Sequence, residues 1–147
     1  LKDTDKDRAL RALIDVLPLP DGIDREFLLR LFQAREAAAS TAIGDGVALP
    51  HVRNPIVLHV DRPSVTLAFL ERPVDFGALD GKPVQVLFSL ICPTTRSHLQ
   101  MLARLSFAMH DPRFKDVVLR QARPDEILGE ARRLDAALAP TAGKATP

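Results

Sequence analysis

The sequence predicts an α/β fold, a mixed five-stranded-type sheet flanked by helices on both faces. Helical patterns of apolar residues open and close the chain, and two apolar, strand-type runs, Ser64 to Glu71 and Val84 to Ile91, lie between them. Short turn signals separate these elements, with no long linker, internal repeat or low-complexity segment. The 147 residues, 46% hydrophobic and 27% charged, suit a single domain with one core. That domain is expected over residues 1–139, with a small, polar, frayed tail over 140–147. Leu rather than Met at position 1 predicts a domain excised from a longer chain.

From Asp5 to Leu17, the residues Leu10, Leu13, Ile14 and Leu17 recur at i, i+3, i+4 and i+7, the signature of an amphipathic helix. Pro18 to Gly22 ends it. Asp24 is a good N-cap for a second helix running to about Ala39, expected to bury Phe27, Leu28, Leu31 and Phe32, with Ile23 stapled onto Leu28. Gly44-Asp45-Gly46 reverses the chain into the strand-type run Val47-Ala48-Leu49, which Pro50 stops. Ile56 to Val60 reads as a strand. Ser64 to Glu71 is apolar on both alternating faces and is expected to be central in the sheet. After the Asp80-Gly81-Lys82-Pro83 turn comes the buried strand Val84 to Ile91. Pro93-Thr94-Thr95 opens a helix whose inward stripe is expected to be Leu99, Leu102, Leu105 and Met109. Asp111-Pro112 breaks it, a short helix around Phe114 to Leu119 follows, and a last helix runs from Pro124 to Leu138.

Composition narrows the function. Twenty basic and 19 acidic residues leave a net charge of +1, which gives no field to argue for nucleic acid or an anionic membrane. Tyr and Trp are absent, so base stacking would fall to Phe alone. A protein or small-molecule partner is expected instead. The single cysteine, Cys92, allows neither an internal disulfide nor a thiolate metal cluster, and it fits a reducing, cytoplasmic setting. The longest apolar stretch, Val86 to Cys92, is too short to span a bilayer, and no signal-peptide pattern opens the chain, so no membrane insertion is expected.

The stretch that carries chemistry is Ser40 to Arg53, where a Pro-His dipeptide ends a short strand. Proline fixes φ, so His51 leaves the sheet in a restricted direction. A neutral imidazole is a nucleophile near pH 7, and one nitrogen can react while the other is oriented by a hydrogen bond. His98 falls in the first turn of the Pro93 helix, where unpaired N–H groups depress the pKa of a histidine and attract phosphate. With an arginine to fork onto an oxyanion, Arg35 or Arg53, and the hydroxyls of Ser40 and Thr41, these residues make a phosphate cradle. Phosphoryl transfer to and from a histidine needs positioning and charge stabilisation but no organic cofactor, and none is expected.

Arg35-Glu36, Ser40-Thr41, Gly46-Val47-Ala48-Leu49-Pro50-His51, Asp75-Phe76-Gly77-Ala78, Asp80 to Val84 and the run from His98 to Leu105 together resemble the type-2 enzyme IIA domains of the bacterial phosphoenolpyruvate-dependent phosphotransferase system. These are the fructose/mannitol-specific and nitrogen-regulatory IIA proteins, and the resemblance covers nearly the whole chain. It implies that His51 accepts phosphate from the phosphocarrier HPr or its nitrogen-branch counterpart. It also implies that Arg35 and His98 stabilise the phosphoryl group, with Thr41 nearby, while Ser40 and Arg53 remain candidates for phosphate binding. Members usually begin with a strand ahead of the first helix, and only Leu1 to Thr4 precede it here.

The matched residues are shared by both branches, so two readings follow. In one, the chain is a phosphotransferase component that hands the phosphoryl group to a IIB-type acceptor in sugar uptake. In the other, the phosphorylation state of His51 controls protein partners or a fused transcription-regulator domain. A zinc hydrolase built on His51, His98 and His59 is disfavoured, because no His-x-x-x-His or Glu-near-His spacing supports it, and no metal site is expected. His59 and His110 read as structural or solvated.

Overall fold

The computed structural model describes residues 5–52 and 60–144, and the side chains of those up to 136. Its elements are α1 (Asp5–Val16), α2 (Arg25–Ala38), β1 (Ala42–Gly44), β2 (Val47–Ala48), β3 (Ser64–Val74), β4 (Val84–Ile91), α3 (Thr95–His110), α4 (Pro112–Leu119) and α5 (Pro124–Lys144). The chain divides inside α3 into two compact units, residues 1–101 and 102–147.

In the first unit the two leading helices form because their apolar residues repeat at the helical period. α1 buries Ala9, Leu10, Leu13 and Ile14, and Leu17 just beyond its end is buried too. The Asp24 carboxylate caps α2, accepting from the amides of Glu26 at 3.0 Å and Phe27 at 3.2 Å. The buried face of α2 is Leu28, Leu29, Phe32 and Glu36. Phe27, expected inside, lies on the other side of the helix and is exposed.

β1 and β2 form a hairpin through Asp45 and Gly46, with φ of 56° and 81°. Positive φ at both central residues matches the twist of the flanking strands. At Gly46 an added Cβ would stand 3.3 Å from the Pro83 carbonyl, and the Gly46 carbonyl itself accepts from the amides of Gln85 at 2.8 Å and Val86 at 3.0 Å. Asp80 fastens the same turn, its carboxylate accepting from the amide of Asp45 at 2.8 Å and that of Lys82 at 3.0 Å.

The described strands lie in the order β1-β2-β4-β3, with β2 parallel and β3 antiparallel to β4, so the sheet is mixed as the sequence predicts. Two expectations need correction. Four strands rather than five are present among the described residues, and residues 56–59 of the strand expected over Ile56–Val60 lie outside them. Among the described strands β4, not β3, holds the central place, which accounts for its burial on both faces while Val65 and Phe69 of β3 are part-exposed.

The core of this unit packs Leu10, Leu13 and Ile14 of α1 and Leu28 and Phe32 of α2 with Ala48, Val52, Phe76, Leu87 and Ile91. Leu87 and Ile91 fall on one face of β4 by the period of two. This core fixes the end of β2, just beyond which His51 stands, and the end of β4, from which the chain passes into α3 and His98.

In the second unit Asp111 caps α4, with Pro112 at its first turn. The same Asp111 pairs with Arg133 of α5 at 2.6 Å, and Glu130 joins Arg113 at 2.9 Å and Arg133 at 2.7 Å. α5 runs on to Lys144, past Leu138 where the sequence reading stops it.

Candidate functional site

Leu49 leaves β2 with its amide donating to the Thr41 carbonyl at 3.0 Å, which continues the hairpin by one more pairing. Two residues on, His51 Nδ1 lies 2.6 Å from the Leu49 carbonyl oxygen. A carbonyl only accepts, so the proton sits on Nδ1 and the lone pair on Nε2. His51 is 9% exposed, and its chain neighbours Pro50 and Val52 are buried too.

His98 lies in the first turn of α3, whose start is built by Thr94. The Thr94 hydroxyl accepts from the Ser97 amide at 3.0 Å, the Thr94 amide donates to the Ser97 hydroxyl at 3.3 Å, and the His98 amide donates to the Thr94 carbonyl at 3.0 Å. The imidazole is 5% exposed, and its ring centroid stands 5.0 Å from that of His51 at an interplanar angle of 48°. His98 Nδ1 is buried with no hydrogen-bond partner among the described residues. The buried stripe of α3 thus begins with His98 and continues through Leu105 and Met109, whereas Leu99, expected to lead it, is exposed.

Both imidazoles are held below their ordinary 6.5. For His51 burial is the main cause and the Arg35 guanidinium adds to it, against the Leu49 carbonyl and the Glu36 carboxylate. For His98 burial leads, followed by His51 and Arg35. Both rings are therefore neutral near pH 7, as a nitrogen nucleophile requires.

The sign of the stability effect follows. Near pH 6.5 an unfolded chain takes up protons that the folded chain refuses until lower pH, so stability is full above that value and falls as pH drops through the folded pKa values. Asp80, Asp111 and Glu130 are held below their ordinary 3.8, 3.8 and 4.5, by the Asp45 amide, the Phe114 amide and Arg133 respectively, so they act at lower pH. The urea midpoint is expected to fall between about pH 7 and about pH 5, with a smaller fall in His98→Asn; a flat profile over that window would count against two buried neutral rings.

Arg35 sits in the last turn of α2 and donates to the Ala39 carbonyl at 2.8 Å, closing the helix end, while its charge reaches both imidazoles. Thr41 is buried, and its amide and hydroxyl both donate to Glu36. The Ser40 hydroxyl donates to the Phe76 carbonyl and accepts from the Ala42 amide at 3.1 Å. His110 Nδ1 donates to the Ser106 carbonyl at 2.7 Å on an exposed helix end. Arg53 and His59 lie outside the described residues.

The structure thus brings together His51, His98, the charge of Arg35, and Thr41 with its carboxylate. Glu36 is the residue that sequence reasoning passed over. Its spacing of i+4 and i+8 from Phe32 and Leu28 was the available signal, since it puts a carboxylate on the buried stripe. Among the described residues no group of three or more His, Cys, Asp or Glu is placed to hold a metal ion.

The class defined by this arrangement is a mixed-sheet α/β domain that sets two buried, neutral histidines side by side with their rings tilted to one another, one at a strand end and one at a helix start. The family model for the phosphoenolpyruvate-dependent sugar phosphotransferase system, EIIA 2, matches residues 1–130, and the chain belongs to that family. It is 35% identical over 105 residues to a nitrogen regulatory protein of Pseudomonas aeruginosa, covering 69% of this chain and 66% of that one. It is 33% identical over 110 residues to the fructose-specific EIIA component of Haloferax volcanii, covering 72% and 70%. Its fold matches the crystal structure of the nitrogen regulatory protein IIA-Ntr from Neisseria meningitidis with a TM-score of 0.68 and 27% identity over 81% of each chain.

Proposed function

We propose that this chain is a cytoplasmic phosphohistidine carrier in which His51 takes a phosphoryl group from an HPr-type donor. It passes the group to a IIB-type acceptor in sugar uptake or, in the regulatory form, carries it as a signal to a protein partner. The observation that carries this reading is the Nδ1 contact with the Leu49 carbonyl, which leaves Nε2 as the nucleophile.

The step balances without a cofactor. The Nε2 lone pair forms the new N–P bond as the donor's N–P bond breaks, and the donor leaves with its electron pair. The His51 ring then carries phosphorus on Nε2 and the proton on Nδ1, so it bears a positive charge. The Leu49 carbonyl dipole and the Glu36 carboxylate oppose that charge in sign and stabilise it. The same charge makes the ring a good leaving group, so transfer runs in either direction.

Arg35 and His98 are the groups that would meet the phosphoryl oxygens. Arg35 supplies a fixed cation near both rings, and His98, its ring centre 5.0 Å from that of His51, carries a ring nitrogen with no hydrogen-bond partner among the described residues. Thr41 and Ser40 have their hydroxyl protons on Glu36 and Phe76, so each would have to exchange that bond to donate to phosphate. Removing one preorganised donor from such a site slows chemistry roughly 10²–10³-fold. His98→Ala is expected to lower the single-turnover rate of phosphorylation by that order while leaving His51 able to react; an unchanged rate would remove His98 from the transfer step.

The regulatory reading draws support from the nitrogen regulatory relative at 35% identity, and the transport reading from the fructose-specific one at 33%. Offering the chain a sugar-branch HPr and its nitrogen-branch counterpart side by side separates them, because the faster donor identifies the branch.

A further inference from the structure

A buried carboxylate is tied to His51 by an unbroken run of hydrogen bonds. The oxygens of Glu36, which is 6% exposed, accept from the Thr41 amide at 2.9 and 3.1 Å and from the Thr41 hydroxyl at 2.8 Å each. The Thr41 carbonyl accepts from the Leu49 amide at 3.0 Å, and the Leu49 carbonyl accepts from His51 Nδ1 at 2.6 Å. On the other side, Lys6 of α1 pairs with Glu36 at 3.5 Å and donates to the Phe76 carbonyl at 3.2 Å, with its ammonium 5.1 Å from the centre of the Phe76 ring.

A leucine at this position would simply continue the stripe of Leu28, Leu29 and Phe32. Burying a carboxylate there costs solvation, which is offset only by a cation and well-aimed donors. Lys6 and Thr41 supply both. Since donor and acceptor are fixed at every link, a displacement of the carboxylate moves Thr41, then Leu49, then the imidazole.

We infer that Glu36 is a positioning residue for His51, holding the ring through Thr41 and Leu49 in the tautomer that exposes Nε2, with Lys6 as the cation that allows the carboxylate to be buried. The consequence for rate rests on the phosphocarrier reading. The consequence for the tautomer does not.

The test is long-range ¹H–¹⁵N NMR of the histidine rings, with no phosphoryl donor present, in the unaltered chain and in Glu36→Gln, Thr41→Val and Lys6→Met. Single-turnover phosphorylation by HPr or its nitrogen-branch counterpart is run alongside. Glutamine keeps the volume of Glu36 but has one acceptor oxygen, and it turns an NH₂ toward two donors. The expected result is one Nδ1–H tautomer at His51 in the unaltered chain and a mixture in Glu36→Gln and Thr41→Val. The rate at saturating donor should fall roughly 10- to 100-fold, with the donor concentration for half-maximal rate unchanged, as displacing a nucleophile by about an ångström does. Lys6→Met should act in the same direction but less. A folded Glu36→Gln chain with His51 still in a single tautomer and an unchanged rate overturns the assignment. If that variant does not fold, Thr41→Val and Lys6→Met give the decision by the same two signals. An unaltered chain that takes no phosphate from either donor would count against the carrier reading, while the tautomer comparison would still decide the positioning claim.

Discussion

A His51→Ala chain is expected to take up no acid-labile phosphate under any donor, and to keep its fold. The reaction needs a nitrogen lone pair at that one place, and the neighbouring ring, His98, is fixed by its own helix 5.0 Å away, centre to centre. The fold should survive at a modest cost in stability, because the buried side chain leaves a small cavity and gives up its Nδ1 bond to the Leu49 carbonyl, worth about 1 kcal/mol. Intact-mass analysis and far-UV circular dichroism check the two halves together. A His51→Ala protein phosphorylated at the normal rate would remove the account at its root.

Glu36→Ala is expected to be the most destabilising single truncation near the site, by about 3 kcal/mol in urea unfolding. The size comes from what is left behind rather than from what is lost. The Thr41 amide and hydroxyl are buried, and without the carboxylate they have no acceptor, so each keeps its desolvation cost. Lys6 suffers less, since its side chain is 24% exposed and water can reach it. The pair between Arg11 and Glu26, 2.8 Å long and on the surface, is by contrast expected to contribute little. A Glu36→Ala loss no larger than that of Glu26→Ala would show that the buried network is not what holds the His51 loop.

Much of this fold was legible where local chemistry decides the outcome. β4 spans Val84–Ile91, as its apolar run predicts, and the turn falls at Asp45 and Gly46, where positive φ is needed. Asp24 caps the helix that its position suggests, and Asp111-Pro112 divides α3 from α4 where it is expected to. The errors arose where only packing decides. Both faces of β3 are apolar, so its pattern did not reveal that it has a single neighbour among the described strands. On α2, Phe27 and Leu29 are equally apolar, and a rotation of the helix by a residue or two determines which is buried.

The site shows the same division. His51 was legible because Pro50 and the strand end restrict it, and His98 because the Pro93-Thr94-Thr95 start places it in a first turn. Their closeness was not, since no sequence spacing sets the 5.0 Å between rings carried on different elements. Glu36 was hidden because a charged residue near a helix end is most simply read as solvated. The structure instead turns it inward, onto Thr41.

The most direct test of the central claim is long-range ¹H–¹⁵N NMR of the chain after incubation with phosphoenolpyruvate, enzyme I and HPr or its nitrogen-branch counterpart. The account predicts one phosphate, on Nε2 of His51, with the Nδ1 proton retained. Phosphate on Nδ1, phosphate on another histidine, or no adduct with either donor would contradict it.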